Sequence, residues 1–202
     1  MQPRTSATRY VAAIIGVALL GCRHVALDNP LTYAEVPPAE RIHVPCYYAI
    51  EPATDAIEVE NLGYQVKLGP ALAGQLQAAL GGLCRGTGRV TDRAEFLSLT
   101  GSDPAVLFQI SAAAEMNARV LTWAVNTGEL HGHALVGGPS DGPLVPYEFS
   151  ATGSKRQYYA EAGSGAEGLR HALGAAVQSL VDQARADRAR LEALARSTNG
   201  TH

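Results

Sequence analysis

The chain has 202 residues, of which 47% are hydrophobic and 17% charged, so it is long enough to bury a substantial core. Sixteen basic and nineteen acidic residues give a formal net charge of −3. Only two of the basic residues are lysines and none form a block, which argues against nucleic acid as a partner because phosphate binding needs clustered positive charge.

The N-terminal segment has the pattern of a secretory signal peptide. Arg4 and Arg9 precede an apolar run over 10–20, and no acidic residue occurs before Asp28. As a helix, about eleven residues span roughly 16 Å, or half of the ~30 Å hydrocarbon core, which is too short for a membrane anchor. The segment therefore predicts a signal peptide, residues 1–21, that is cleaved.

Leu19, Leu20, Gly21 and Cys22 close this segment. They resemble the lipobox of bacterial lipoproteins, in which the cysteine is diacylated and becomes the first residue of the mature chain. The resemblance implies an anchor of two acyl chains, such as palmitate, on Cys22. Arg23 follows in place of the Asp that favours inner-membrane retention, so we expect the periplasmic face of the outer membrane. A short buried helix with an incidental cysteine is the alternative.

The stretch behind the cysteine, residues 22–41, contains three prolines and no sustained apolar period. It predicts a flexible tether that lets the folded domain stand away from the bilayer. The alternative is that the stretch packs on the domain, because it also carries Val25, Leu27, Leu31 and Tyr33.

The first half of the predicted domain alternates extended pieces with helices. The elements in order are a strand over 42–50, an extended piece over 64–68, a helix over 70–83, a short strand over 89–91 and a helical turn over 92–99. The helix opens at Gly69-Pro70 and carries one leucine stripe. Asp92 and Glu95 form a capping pair for the last turn.

The second half predicts several strands and a terminal helix. The elements are strands over 106–111, 120–125, 130–136 and 145–151, turns at 126–128 and 137–143, and a helix over 164–184. Residues 112–118 suit a helix and a strand equally. Pro146 lacks an N–H, so its strand should lie at a sheet edge. Ser164 and Glu167 form a capping box, and residues 185–202 predict a projecting helix extension and a polar tail.

Two cysteines besides Cys22 need an explanation. In an oxidising periplasm Cys46 and Cys84 can form a disulfide, which closes a loop of about 39 residues and stabilises by roughly 4 kcal/mol on the chain-entropy model. The alternative is a pair of buried free thiols, since cysteine is among the most buried residue types.

These elements predict an α+β domain over 42–184, a two-layer sandwich in which a mixed or antiparallel sheet carries two helices on one face. Element order and lengths loosely resemble the small two-layer lipoproteins of envelope assembly, such as the lipopolysaccharide-assembly lipoprotein. Some auxiliary lipoproteins of transport systems are similar in plan. The resemblance implies an assembly or accessory subunit.

Metal ligation and hydrolase chemistry have few candidate residues. Glu129, His131 and His133 would share one face of a strand, with the histidines about 7 Å apart, and they form either a weak metal site or a solvated face. Ser164 and His171 are the residues that a serine hydrolase would draw on, although no Gly-x-Ser-x-Gly elbow is present. We therefore predict no catalytic residues and no cofactor.

The sequence thus predicts a noncatalytic, lipid-anchored envelope protein that binds another envelope component. The strand near Pro146 could accept a strand of that partner at its free edge. The alternative is a ligand-binding or transport-auxiliary lipoprotein with a cleft between sheet and helices. A metal-dependent or serine hydrolase is the third hypothesis.

Overall fold

A computed structural model describes residues 23–27, 31–61, 64–117, 124–140, 142–157 and 164–197. Its strands are β1 (Arg23–His24), β2 (Cys46–Ile50), β3 (Glu58–Asn61), β4 (Tyr64–Lys67), β5 (Thr87–Arg89), β6 (Val106–Asn117), β7 (Ala124–Gly137) and β8 (Val145–Gln157). Its helices are α1 (Pro52–Asp55), α2 (Leu68–Leu83), α3 (Arg93–Thr100), α4 (Ser164–Ala186) and α5 (Arg188–Arg196), with a 3-10 turn at Pro38–Glu40.

The strands form a five-stranded sheet in the order β5-β2-β6-β7-β8 and a three-stranded sheet in the order β1-β4-β3. In the larger sheet β5, β2 and β6 are parallel, whereas β6, β7 and β8 are antiparallel. Helices α2 and α4 pack together, α4 across β6, β7 and β8 and α2 over β2 and β5. The predicted α+β fold with a mixed sheet is therefore confirmed. The smaller sheet was not predicted.

Side chains alternate between the two faces of the large sheet, as the pleat requires. Tyr48, Phe108 and Ile110 belong to the main core beneath α2 and α4. Ala49 and Leu107, one position away in the same strands, point to the other face and pack with Phe96 of α3. Among the described residues, the second face is therefore covered only near β5, β2 and β6.

Glycines allow α4 to lie unusually close to the sheet. A Cβ atom added to Gly128 in β7 would fall 2.3 Å from the Leu169 backbone, and one added to Gly153 in β8 would fall 2.2 Å from the Gly168 carbonyl. The predicted turn at 126–128 is consequently wrong. Gly128 lies in mid-strand, where a glycine admits a closely approaching helix backbone.

Two other boundaries also differ from the sequence prediction. Residues 112–117, which suited helix and strand equally, continue β6 to Asn117. The short strand predicted over 89–91 lies at Thr87–Arg89, where it pairs with β2. Val90 follows the strand and is buried against Phe96.

The stretch predicted as a tether packs on the domain wherever it is described. Its first two described residues, Arg23 and His24, form β1, which pairs in parallel with β4. Residues 31–41, which we call the strap, cross the helix layer and bury Val36. The Leu31 N–H and the Tyr33 hydroxyl both donate to Gln75 Oε1, at 3.1 and 2.6 Å. The alternative prediction, that this stretch packs on the domain through its apolar side chains, is therefore correct for the described residues.

The C-terminal extension also packs back on the body. The chain turns at Asp187, and Leu191 and Ala195 of α5 are buried in the main core. The Tyr147 hydroxyl donates to Asp187 Oδ2 at 3.0 Å and so ties the turn to β8. The prediction that this helix projects past the domain is wrong, because Leu191 continues the apolar stripe. Residues 198–202 lie outside the described part.

Candidate binding surface

The predicted signal peptide, residues 1–21, and Cys22 lie outside the described residues. The first described residue, Arg23, already belongs to β1 and pairs with Tyr64. Any anchor on Cys22 would therefore join directly to a folded strand. Among the described residues, no helix combines the length and hydropathy that crossing a membrane requires.

Cys46 and Cys84 form a disulfide with a Cα–Cα distance of 5.9 Å. Cys46 begins β2, and Cys84 directly follows α2. The bond therefore joins the central strand of the parallel half of the sheet to the end of the helix that covers it. Both residues are buried, which gives the bond a structural role.

Glu129, His131 and His133 share the outward face of β7, as their spacing predicts. His131 Nε2 lies 4.0 Å from Glu129 Oε2, with 71% of the histidine side chain and 41% of the glutamate exposed. Within the described ranges, no group of three or more His, Cys, Asp or Glu side chains is close enough to hold a metal ion. Both histidine side chains are exposed on the strand.

His171, which was considered for hydrolase chemistry, lies beside two charged residues of α4. His171 Nε2 lies 3.6 Å from Glu167 Oε1 on the exposed side of α4, where Arg170 also contacts the same carboxylate oxygen at 3.1 Å. This arrangement is a partly exposed ion-pair cluster on a helix. The side chain of Ser164 lies outside the described part.

Glu129, His131 and His133 share the face of β6, β7 and β8 on which no described helix of the α2 and α4 layer packs, which we call the open face. Its members are Ser111, Ala113, Glu115, Thr127, Glu129, His131, His133, Leu135, Glu148, Ser150 and Thr152. Glu129 lies opposite Glu115 of β6, and His133 lies opposite Glu148 of β8. Two histidines and three carboxylates therefore lie on this face, and Arg156 near the end of β8 points to it as well. Sequence reasoning missed both outer glutamates because it lacked the strand register.

The free edge of β8 borders the open face. β8 ends the strand order, which confirms that Pro146 lies in an edge strand. Gln183 Nε2 of α4 donates to the Glu148 carbonyl at 2.8 Å, so this carbonyl points away from β7. Residues two positions apart along a strand point their backbone groups to the same side. The missing N–H of Pro146 therefore faces outward, where no ladder bond is lost.

A pocket of about 380 Å³, lined by both apolar and charged residues, lies at the carboxyl ends of β2 and β5. Arg89 Nη2 is 2.8 Å from Asp55 Oδ1. The backbone N–H and hydroxyl of Thr91 both donate to Glu95, at 2.6 and 2.7 Å, and these bonds lower the pKa of the Glu95 carboxyl. Its charged groups thus already have partners, which leaves little free polar capacity for a ligand.

An apolar pocket of about 310 Å³ lies between β1, β4 and the start of α2. It is lined by His24, Val25, Ala26, Leu27, Gln65, Lys67, Pro70 and Ala71. The ligand-binding alternative predicted a cleft between the large sheet and its helices. Near Gly128 and Gly153 the described residues leave no such cleft, because α4 contacts the strands directly there.

No family model matches this sequence. No curated protein matches it either. Solved structures with a similar shape include a Helicobacter pylori protein described as a neuraminyllactose-binding hemagglutinin homologue, at 10% identity and a TM-score of 0.44, covering 77% of this chain and 91% of that chain. A minor lipoprotein from Acinetobacter baumannii is 12% identical with a TM-score of 0.40, covering 74% and 94%.

A Xanthomonas campestris protein of the DUF330 family aligns over 85% of this chain and 98% of its own. Its TM-score is 0.52 and its sequence identity 14%. The coverage includes nearly the whole of that protein, so the two chains share the arrangement of the entire domain. At this identity the likeness establishes a common fold.

Proposed function

We propose that this chain is a noncatalytic accessory subunit of the bacterial envelope, anchored through acyl chains on Cys22, whose open face binds another envelope protein. The observation that carries the binding role is the unequal covering of the large sheet. Helices α2 and α4 bury one face throughout, whereas α3 leaves the outward side chains of β7 and β8 uncovered.

The chemistry of the open face indicates what kind of partner it suits. The open face carries three acidic side chains, those of Glu115, Glu129 and Glu148. These acidic side chains outnumber Arg156, which points to the same face, so the surface complements a partner that presents Lys or Arg. Such complementarity sets orientation and association rate more than it sets affinity.

The anchor and the fold act together in this proposal. β1 starts immediately after Cys22, so the lipid would hold the small sheet close to the membrane surface without a long tether. Two acyl chains attach a protein stably, because each buried methylene contributes about 0.8 kcal/mol. Arg23 at the position after the cysteine is the reason to place this anchor in the outer membrane.

Substitution of the cysteine tests the anchor. The Cys22→Ser variant should remain unacylated, retain residues 1–21 and show the mass of the full chain by mass spectrometry. The natural chain is the positive control, because its acyl chains should be released as fatty acid on hydrolysis. Normal processing and membrane sorting of the variant would contradict the anchor.

Recovery of a partner tests the open face. The chain should be isolated from envelope membranes in mild detergent, and the proteins bound to it identified. Ala113→Arg places a long cation in the middle of the open face, and at least a tenfold loss of the bound protein is expected. Ala175→Arg makes the same change at an exposed position of α4 and should bind normally. Equal recovery with both variants would reject this face as the binding surface.

A second candidate function, binding of a lipid acyl chain, is supported by the apolar pocket beside β1. Lys67 at its rim could pair with an anionic headgroup, and Val25 contributes to its wall. A fluorescent fatty acid should then bind the natural chain and be lost in Val25→Glu. Ala175→Glu on α4 is the matched control. Undiminished fatty-acid binding by Val25→Glu would reject this pocket.

A further inference from the structure

The edge of β8 has an outward row of backbone groups that the described structure leaves almost unused. The Ile110 carbonyl accepts from the Glu51 N–H at 2.9 Å, so even-numbered residues of β6 point toward β2. Following the register across β7 assigns the outward direction on β8 to its even-numbered residues. The bond from Gln183 to the Glu148 carbonyl agrees with this assignment.

Beyond that bond, no further partner of the outward backbone groups of 150–156 occurs in the described part of the chain. A free row of N–H and C=O groups is a template for another strand. Natural edges are usually protected by prolines, bulges or inward-pointing charges. Here Pro146 lies at one end only, and between Glu148 and Arg156 the outward residues are Ser150, Thr152 and Ser154, which permit pairing.

The charges on this row are arranged symmetrically about Thr152. Glu148 lies four residues before it and Arg156 four residues after it, and both side chains are exposed on the same face of the sheet. If two copies of β8 pair in antiparallel fashion with Thr152 opposite Thr152, each Glu148 faces Arg156 of the second copy. Ser150 then faces Ser154 of the second copy, and no like charges meet.

The backbone allows this register as well. Pairing about Thr152 sets even-numbered residues opposite even-numbered residues, so their outward N–H and C=O groups meet as hydrogen-bonded pairs. A shift of the pairing by two residues in one direction would place Arg156 opposite Pro146, which has no N–H to offer, and Glu148 opposite Ser154. Charge pairs and backbone bonds would both be lost there, so the register about Thr152 is favoured over this one.

We infer that the chain forms a two-fold symmetric dimer in which β8 pairs with β8 of a second copy about Thr152. The contact is isologous, so it closes after two subunits. The two five-stranded sheets become one sheet of about ten strands, near the upper size of open sheets. The two open faces then lie side by side, so a partner with repeated sites meets both at once. At each end of the contact, the Arg156 N–H of one copy replaces Gln183 as donor to the Glu148 carbonyl of the other.

Cysteine cross-linking tests the register. Opposed residues of a hydrogen-bonded antiparallel pair have Cα atoms about 5.5 Å apart, which a disulfide spans. The full chain carrying Thr152→Cys, oxidised in its membrane, should give a linked dimer. Ser150→Cys alone should give at least tenfold less, because two copies of residue 150 would lie roughly 13 Å apart along the strands. A mixture of Ser150→Cys and Ser154→Cys chains should link. Equal linking by Thr152→Cys and Ser150→Cys alone, or no linking by Thr152→Cys, would overturn the proposal.

Charge exchange tests the same contact without cysteine. In purified chains studied by light scattering in detergent, Glu148→Arg and Arg156→Glu should each weaken the dimer at least tenfold, since like charges then meet twice. An equimolar mixture of the two variants should form a heterodimer, because each arginine now faces a glutamate. If both single variants dimerise as the natural chain does, or if the mixture does not associate, the inferred pairing is wrong. Neither experiment requires an envelope partner, so either can fail independently of the proposed function.

Discussion

The two faces of the large sheet are built from the same strands but differ in how tightly they are packed. In β7, Gly128 faces α4 so closely that a single added carbon would meet the Leu169 backbone, whereas the neighbouring Glu129 faces outward. The covered face has little room for change because helix and strand backbones are in contact. The open face carries mostly polar and charged side chains, and no described helix packs on those of β7 and β8. Stability should therefore depend on one face and binding on the other.

The largest expected loss of stability follows from filling the space beneath α4. Gly128→Ala should lower the free energy of unfolding by at least about 3 kcal/mol, because its Cβ would fall 2.3 Å from the Leu169 backbone. Ala113→Ser, a similar change on the open face, should alter it by no more than about 0.5 kcal/mol. Urea unfolding followed by circular dichroism gives both values. Equal values for the two variants would remove the distinction between the faces.

Loss of the disulfide should have the next largest effect. Replacement of both Cys46 and Cys84 by alanine should cost roughly 2–4 kcal/mol, because the unfolded chain then gains the freedom of a loop of about 39 residues. The natural chain unfolded in dithiothreitol should show a similar loss. The double variant should be insensitive to the reductant. An unchanged unfolding midpoint in the reduced natural chain would show that the bond adds no stability.

Two tyrosines, Tyr33 of the strap and Tyr147 of β8, should contribute less to the free energy of unfolding, and their contribution should depend on pH. Burial raises the pKa of Tyr33 above its usual value near 10, and burial with the Asp187 carboxylate does the same for Tyr147. The folded chain thus keeps protons that the unfolded chain releases at high pH. The stability from each tyrosine is complete below about pH 10 and falls as the pH rises further.

Tyr33→Phe should therefore cost about 1 kcal/mol at neutral pH, from the lost hydrogen bond to Gln75. The variant should also lose less stability than the natural chain between pH 10 and 11. Unfolding midpoints measured at pH 7, 10 and 11 check both expectations. A variant whose alkaline loss is as steep as that of the natural chain would contradict the buried state of Tyr33.

The smallest effect is expected from the histidines of the open face. The double variant His131→Ala, His133→Ala should unfold within about 0.5 kcal/mol of the natural chain, because both side chains are exposed. Calorimetric titration with Zn²⁺ should show no tight uptake by the natural chain. Tight uptake that vanishes in the double variant would show that these histidines bind Zn²⁺.

Much of the covered face could be predicted from local pattern. The leucines of α2 and the apolar spacing of α4 identified both helices, and alternation identified β2, β6 and β8. The turn predicted at 126–128 was wrong because Asn-Thr-Gly is a turn sequence locally, while the need for a glycine beneath α4 arises only in the folded structure. Residues 112–117 were ambiguous for the same reason, since pairing with β7 decides their conformation.

The open face was only half predictable. Its central residues Glu129, His131 and His133 share a face by spacing alone, so the sequence was sufficient to group them. Glu115 and Glu148 join them through strand register, which depends on contacts between distant parts of the chain. The packing of the strap was an open alternative because Val25, Leu27, Leu31 and Tyr33 are apolar, but three prolines favoured a tether. The anchor residue Cys22 stays a prediction.

Photo-cross-linking from matched alanines tests the central claim, that the open face binds an envelope partner. A photoreactive amino acid should be introduced at Ala113 on the open face and, in a second chain, at Ala175 on the exposed side of α4. On irradiation in intact envelope, Ala113 should give a discrete cross-link to another envelope protein and Ala175 should not. Cross-linking of equal yield from both positions, or from Ala175 alone, would contradict the claim.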